Sequence, residues 1–242
     1  YVAARNLSRR NEDLAIFELG SVYWPRESEL LPQEAPMMAG LVTGKVPGGW
    51  QGKGGEMDFF FLKGIVEELF ARLHLEGVKF NPSVPEHSYH PGRYAVITAG
   101  DRIIGSIGEI HPLVLEKLDI ESRVCAFEID VNQLYEAVSR SHHQVRGISR
   151  YPAVKRDLAL VVSEEVNAAD LAETIKKAGT DLLIRVDLFD VYRSPQLGEG
   201  KKSLAFALTF QSYEHTLQDE EINRIINGIL EKAGEVFGAR IR

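Results

Sequence analysis

Apolar positions along the first 147 residues change period several times, and each change predicts an element. Leu14 to Leu19 is a nearly unbroken apolar run that reads as a strand ended by Gly20, with Val22 to Trp24 as a continuation that Pro25 closes. Polar residues from Arg26 to Pro36 predict a loop, and Met37 to Thr43 a second strand of buried type. Gly44 to Gly55 holds six glycines and a proline, which predicts a surface loop. From Asp58 the period lengthens. Phe61, Leu62, Ile65, Val66, Leu69, Phe70 and Leu73 stand three and four residues apart, the apolar stripe of an amphipathic helix. Further strands are expected over Val78 to Phe80, Ala95 to Ala99 and Ile103 to Ile107, the last two joined as a hairpin at Gly100-Asp101. A short helix from Pro112 to Leu118, with proline in its first turn, precedes a strand over Val124 to Ile129 and a helix over Val131 to Ala137. Ser139 to Ser149 is polar and aperiodic, as a linker between domains is.

Beyond the linker the rhythm is more regular. Asp157 to Val162 predicts a strand, and Asn167 is placed to cap a helix from Ala168 to Ala178 that Gly179 ends. Leu182 to Tyr192 predicts a long strand whose inward parity is ambiguous, because both parities carry apolar residues. Ser194 to Gly200 is a turn. Ser203 to Gln211 then alternates Leu204, Phe206, Leu208 and Phe210 with small partners, the period of a strand buried on one face. Thr216 is expected to cap a helix carrying Ile222, Ile225, Ile226, Ile229, Leu230, Ala233 and Phe237, closed by Gly238, and Ala239 to Arg242 supplies a short last strand. Strand, helix, strand, strand, helix, strand is the ferredoxin-like βαββαβ order, with two helices on one face of an antiparallel sheet. Ser203, Ala205, Ala207 and Thr209, joined by Ala159, are then expected on the other face as a flat, open floor.

Composition narrows the class. With 44% apolar residues in 242, the chain has material for one large core or two smaller ones. No apolar run reaches the roughly 18 residues that span a bilayer, and the opening lacks the layout of a signal peptide, so a cytoplasmic setting is expected. Cys125 is the only cysteine, so an inert buried thiol is expected. Residue 1 is Tyr, and the polar opening Tyr1 to Arg10 reads as the interior of a longer protein. The formal charge of -7 excludes a surface that binds polyanions everywhere. Any RNA contact is therefore local, and with 15 basic against 20 acidic side chains in residues 1–147 and 13 against 15 in residues 148–242 the second half is the less acidic one.

Particular strings then carry a resemblance that runs almost the whole length. Arg9-Arg10-Asn11-Glu12-Asp13 leading to Phe17-Glu18-Leu19-Gly20, His90-Pro91-Gly92-Arg93 and Gly108-Glu109-Ile110-His111-Pro112 occur in the first part. Arg150-Tyr151-Pro152-Ala153-Val154-Lys155-Arg156-Asp157-Leu158, Phe189-Asp190-Val191-Tyr192, Gly200-Lys201-Lys202-Ser203-Leu204-Ala205 and Thr216-Leu217-Gln218-Asp219-Glu220-Glu221 occur in the second. In this order and spacing the chain resembles the phenylalanyl-tRNA synthetase beta subunit. The resemblance implies an α+β chain: a non-catalytic, antiparallel class II synthetase-like body at 1–147, then a ferredoxin-like anticodon-binding domain at 148–242. It implies partners as well, namely phenylalanine tRNA and the alpha subunit of an alpha-beta heterotetramer, with neither DNA nor membrane. Aminoacylation, with its ATP and magnesium, is implied for the alpha subunit, and editing for modules N-terminal to this piece. No catalytic residue, metal ligand or cofactor is expected in this stretch.

RNA binding needs cations for phosphates and aromatic planes for unpaired bases. Arg150, Tyr151, Lys155, Arg156, Tyr192, Arg193, Lys201 and Lys202 gather near expected strand ends, and Arg240 and Arg242 lie on the last strand. These ten are the candidate RNA-binding set, against the plainer reading of a solvated surface. An alanine and serine floor argues against stacking of several bases, leaving Tyr192 or Tyr151 to take one at the edge. His87 and His90, near Tyr89 and Arg93, read as structural or as a subunit contact rather than as zinc ligands, since no third ligand stands nearby. His142-His143 reads as solvated linker, and Gly44 to Gly55 lacks the Gly-Lys-Ser/Thr entry of a phosphate loop. Phe59 and Phe60 extend the apolar surface of the helix stripe as a subunit interface would, against the plainer reading of the stripe as core, and the acidic, apolar-rich first part with no visible chemistry supports an alternative role in assembly with the alpha subunit.

Overall fold

The computed structural model describes residues 1–26, 30–50, 52, 54–84, 88–140 and 147–242. Chain contacts part into two units, Tyr1–Gln144 and Val145–Arg242, each with its own apolar core.

In the first unit the expected strands and helices form, several of them longer than the apolar pattern alone marks, together with a short opening helix that the pattern does not predict. They are α1 (Val2–Leu7), β1 (Leu14–Trp24), β2 (Gln33–Thr43), α2 (Phe59–Arg72), β3 (Val78–Pro82), β4 (Tyr89–Ala99), β5 (Arg102–Ile110), α3 (Pro112–Lys117), β6 (Val124–Asp130) and α4 (Val131–Arg140). One six-stranded antiparallel sheet has the order β1-β2-β6-β5-β4-β3. Asp58 starts α2 by accepting the Phe61 N–H at 2.9 Å, and the stripe then buries Leu62, Val66 and Phe70 against Ile97, Ile104, Ile107 and Phe127. A second cluster joins Ala3 of α1 and Leu115 of α3 to Leu14 and Val124. Two expectations change. Gly20 does not end β1, because it pairs with Met37 and the ladder continues to Trp24 opposite Gln33. Gln33 to Pro36 are therefore strand rather than loop, and Pro36 is tolerated because it pairs with Ser21 at a point that β6, whose pairing with β2 ends at Asp130 opposite Met37, does not reach. Gly40 is required by packing, since a Cβ there would sit 2.5 Å from the Phe127 ring.

The second unit runs β7 (Val154–Ser163), α5 (Ala168–Ala178), β8 (Leu183–Tyr192), a 3₁₀ turn (Pro195–Leu197), β9 (Lys201–Phe210), α6 (Asp219–Phe237) and β10 (Arg240–Ile241). Its antiparallel order, β10-β7-β9-β8, is the ferredoxin-like arrangement. Leu204, Phe206, Leu208 and Phe210 of β9 are at most 1% exposed and pack with Leu171 and Ile175 of α5 and Ile222, Ile229 and Ala233 of α6. Burying each large side chain contributes roughly 1.5 to 3 kcal/mol, which explains why β9 keeps strict alternation. Its outer neighbour β8 does not: register shifts between Leu183 and Arg185 and between Leu188 and Asp190 resolve the ambiguous parity by breaking it.

Helix ends follow the expectation in part. Asn167 Oδ1 accepts the Ala169 N–H at 2.9 Å, and Gly238 ends α6 in the left-handed region. Thr216 does not cap α6. The helix begins at Asp219, with Gln218 in the cap position making no side-chain bond, and Asp219, Glu220 and Glu221 put three carboxylates against the positive end of its dipole instead. Gly179 has an ordinary φ of -74°, and the left-handed residue is Thr180. Glycine is needed at 179 because a Cβ would lie 2.1 Å from Leu183 Cδ2.

Candidate nucleic-acid interface

With α5 and α6 on one face of the second sheet, cross-strand pairing fixes what stands on the other. Thr209 lies between Lys155 and Arg185, Ala207 between Asp157 and Asp187, Ala205 between Ala159 and Asp190, and Ser203 between Val161 and Tyr192. β10 adds Arg240 beside Val161, and the Arg242 N–H donates to Ala159 O at 3.1 Å. The open face thus has small residues down its centre and a carboxylate band across its middle. Cations stand at both ends, with Lys155 and Arg185 at one and Lys201, Arg240 and Arg242 at the other, and Arg185 Nε donates to Asp187 Oδ1 of the band at 2.9 Å.

The second cationic end is more than a row of charges. β10 and β8 are separated by three strand spacings, about 14 Å, yet the Arg242 guanidinium lies 4.4 Å from the centre of the Tyr192 ring. Both side chains therefore reach inward over β7 and β9 and meet above the floor, a cation–π pair that small residues beneath make room for. Ser203 was expected on an exposed floor. It does point to the open face but is 1% exposed, and its hydroxyl has no hydrogen-bond partner among the described residues. A recess of about 370 Å³ at this end of the sheet is lined by residues that include Val161, Ser163, Leu197, Lys201, Arg240 and Arg242.

The ten candidate residues do not form one surface. Tyr192, Lys201, Arg240 and Arg242 come together at this end, while Lys155 stands at the far end of the same face. Arg156 belongs to the helix-side row of β7, opposite Leu208, and pairs with Asp219. Arg193 donates to Glu164 from Nη2 at 2.7 Å and from Nε at 3.0 Å, and the Lys202 ammonium donates to the Glu164 main-chain carbonyl at 2.7 Å. Hydrogen bonding from Arg193 holds the Glu164 carboxyl below its ordinary range, and the same bond raises the guanidinium. Arg150 is exposed, whereas Tyr151 is tied down: its N–H donates to Ser149 Oγ at 3.1 Å and its carbonyl accepts from Gln211 at 2.9 Å. Sequence reasoning missed Arg185 and the three carboxylates Asp157, Asp187 and Asp190. Their only signal is strand register, which the β8 bulges conceal.

In the first unit polar groups turn inward and are satisfied. Arg93 Nη1 donates to both oxygens of the buried Glu109 carboxylate at 2.8 and 2.9 Å, and Arg123 approaches it at 3.4 Å. His90 Nδ1 accepts the Gly92 N–H at 3.1 Å. His87, His142 and His143 lie outside the described residues, among which no group of three or more His, Cys, Asp or Glu is arranged to hold a metal. Burial, helped by the Glu109 charge, pushes the Cys125 thiol up to about 12, so it is an inert neutral group. The 44–55 loop is tied by Val46–Gly55 and Gly49–Gly52 main-chain hydrogen bonds. Phe60 is 75% exposed, and β1 exposes Phe17, Leu19, Tyr23 and Trp24.

These features define a class first: an antiparallel α+β unit followed by a ferredoxin-like domain whose open face carries an aromatic ring and cations. Residues 149–242 match the family model described as ferredoxin-fold anticodon binding domain, and residues 1–131 match that of the phenylalanyl tRNA synthetase beta chain CLM domain. The chain belongs to the phenylalanyl-tRNA synthetase beta chain family. It is 43% identical over 241 residues to the phenylalanine–tRNA ligase beta subunit of Moorella thermoacetica, covering 100% of this chain and 30% of that protein. It is 41% identical over 243 residues to the corresponding subunit of Symbiobacterium thermophilum, covering 100% and 27%. The chain thus spans under a third of the length of these relatives. Among solved structures, a pyrrolysyl tRNA synthetase of Desulfitobacterium hafniense aligns with a TM-score of 0.42 at 17% identity, over 60% of this chain and 49% of that one.

Proposed function

We propose that this chain is the tRNA-binding C-terminal part of a phenylalanine–tRNA ligase beta subunit, with residues 148–242 gripping the anticodon region and residues 1–147 serving as a non-catalytic body. The observation that carries the reading is the division of labour on the open face. Carboxylates of Asp157 and Asp190 repel a phosphate backbone from the middle of the sheet, where Asp187 is neutralised by its pair with Arg185, while Lys201, Arg240 and Arg242 attract it to one end. An RNA loop docked in that way turns its bases inward, where Tyr192 offers a stacking plane and Asp190 and Ser203 offer hydrogen-bonding groups to a base edge. In this reading the partners are phenylalanine tRNA and the alpha subunit, which supplies aminoacylation with ATP and magnesium, and the complex works in the cytoplasm. Among the described residues no helix is long and apolar enough to cross a membrane.

The test is a titration of the full chain with a phenylalanine tRNA anticodon stem-loop. Tyr192→Leu is expected to weaken binding by about 1 to 3 kcal/mol, roughly 5- to 150-fold, from one lost stacking contact. Lys201→Ala and Arg240→Ala should each make the salt dependence shallower by about 0.7 in the log–log slope. Charge reversal at Arg156 or Lys202 should matter less, because Arg156 already has a carboxylate partner and Lys202 a carbonyl. Affinity indifferent to Tyr192 and to salt rejects the proposal.

A second reading is an assembly module for the alpha subunit with little RNA binding of its own. The exposed Phe17, Leu19, Tyr23 and Trp24 of β1, together with Phe60, favour it. Co-purification with the alpha subunit, lost on Phe17→Asp, supports this reading. A chain that stays apart from the alpha subunit removes it.

A further inference from the structure

We infer that Arg242 is a built-in competitor for the Tyr192 ring, so that the base site closes on itself when no RNA is bound. The inference rests on the RNA-binding reading above and adds its regulation. Two independent observations carry it. The guanidinium occupies the ring at 4.4 Å, the same plane a base would stack on, and among the described residues Arg242 has no carboxylate partner even though Asp190 lies in the row of the face that the Arg242 main chain joins. Cross-strand from Tyr192, the Ser203 hydroxyl is buried and has no partner among the described residues. A buried hydroxyl without a partner is unfavourable, so the closed state keeps a polar group unsatisfied.

The two states exchange one set of contacts for another. When closed, Arg242 stacks on Tyr192 and the Ser203 hydroxyl across from the ring stays unpaired. When open, a base takes the ring, its polar edge reaches the Ser203 hydroxyl, and the freed guanidinium turns to a phosphate of the same RNA. Arg242 thereby opposes binding through its hold on the ring and favours it through its charge. Salt separates the two effects, because screening weakens the phosphate contact of an exposed cation while leaving competition for the ring largely in place. The main chain at Arg242 is anchored by its N–H to Ala159 O, so the side chain can swing without loss of the β10 pairing.

The experiment uses the full chain and the anticodon stem-loop, with NMR of the Arg242 side chain and affinities at low and high salt. In the free chain the Arg242 side-chain protons should be shifted upfield by the Tyr192 ring, and saturating RNA should abolish that shift. Arg242→Met should bind RNA about two- to fivefold more tightly than the parent at high salt, the worth of one exposed cation–π contact. At low salt it should gain less or lose. Retention of the ring shift in the complex, or weaker binding by Arg242→Met at every salt concentration, overturns the inference. Tyr192→Leu distinguishes this from failure of the underlying reading. If Tyr192→Leu weakens binding while Arg242→Met never tightens it, only the competition is wrong. If Tyr192→Leu binds as the parent does, or no RNA binds at all, the base site itself is wrong and the competition falls with it.

Discussion

Two buried hydroxyls, Thr43 and Ser203, end up in opposite conditions, although Ser212, also buried, accepts the Glu214 N–H at 3.1 Å. Thr43 in the first unit is fully buried and donates to the Arg123 carbonyl at 2.7 Å, with Ser122 Oγ at 3.0 Å. Ser203 in the second is equally hidden and bonded to nothing among the described residues. The same contrast holds for charge, since Glu109 is met by Arg93 and Arg123 while the open-face Asp190 and Arg242 form no ion pair among the described residues. In the first unit polar atoms complete the structure. The second leaves polar atoms incomplete on one face, and such atoms are the ones a ligand can complete.

The largest test of this contrast asks whether the two cores are separate. Phe206 is fully buried between the sheet and its helices, so Phe206→Ala should destabilise the second unit by about 3 to 5 kcal/mol. Hydrogen exchange read by mass spectrometry should show faster exchange across β7, β9 and α6, with β4 to β6 unchanged. Faster exchange in both units would mean that the cores act as one.

A smaller effect is expected at Glu109. Its carboxylate is buried but the two guanidiniums are about half exposed, so Glu109→Ala leaves cations that water can solvate. The cost should be about 2 kcal/mol, that of hydrogen bonds to a charged group rather than the larger penalty of stranding a buried ion. Urea unfolding of the first unit measures it. A neutral result would make the triad a surface ion pair and weaken the claim that this unit completes its own polar groups. Smaller again is Asn167→Ala, expected to cost about 1 kcal/mol through loss of the α5 cap, with faster exchange confined to the first turn of α5.

How far these features were legible in the sequence depends on which of them burial enforces. β9 was readable residue by residue, because one face must hold Leu204, Phe206, Leu208 and Phe210 and a slip by one residue would expose all four. α1 left no signal, since Ala3 is its only buried residue, and the Gln33–Pro36 end of β2 holds two polar residues and a proline and is paired on one side. The cap of α6 was misread at Thr216 because three acidic residues in the first turn do the work a side-chain cap would otherwise do. For the site, Tyr192, Lys201, Arg240 and Arg242 were legible as residue types but not as neighbours. Their convergence needs the order β10-β7-β9-β8, and the carboxylate band needs a register that two bulges disrupt.

The smallest effect is also the one that separates the two hydroxyls most directly. Replacing Ser203 with alanine removes a buried group that has no partner and leaves a methyl on a floor already built of alanines, so nothing is stranded. Stability should rise by about 0.5 to 1 kcal/mol. Thr43→Val removes a hydroxyl that is bonded and leaves the Arg123 carbonyl unpaired, so it should lower stability instead. The sign difference between the two variants in thermal unfolding is the measurement. If Ser203→Ala is also destabilising, its hydroxyl already has a partner in the free chain, and the second unit is as complete as the first. If it stabilises the fold while weakening RNA binding, the unpaired hydroxyl is kept at a cost in stability because a base edge uses it.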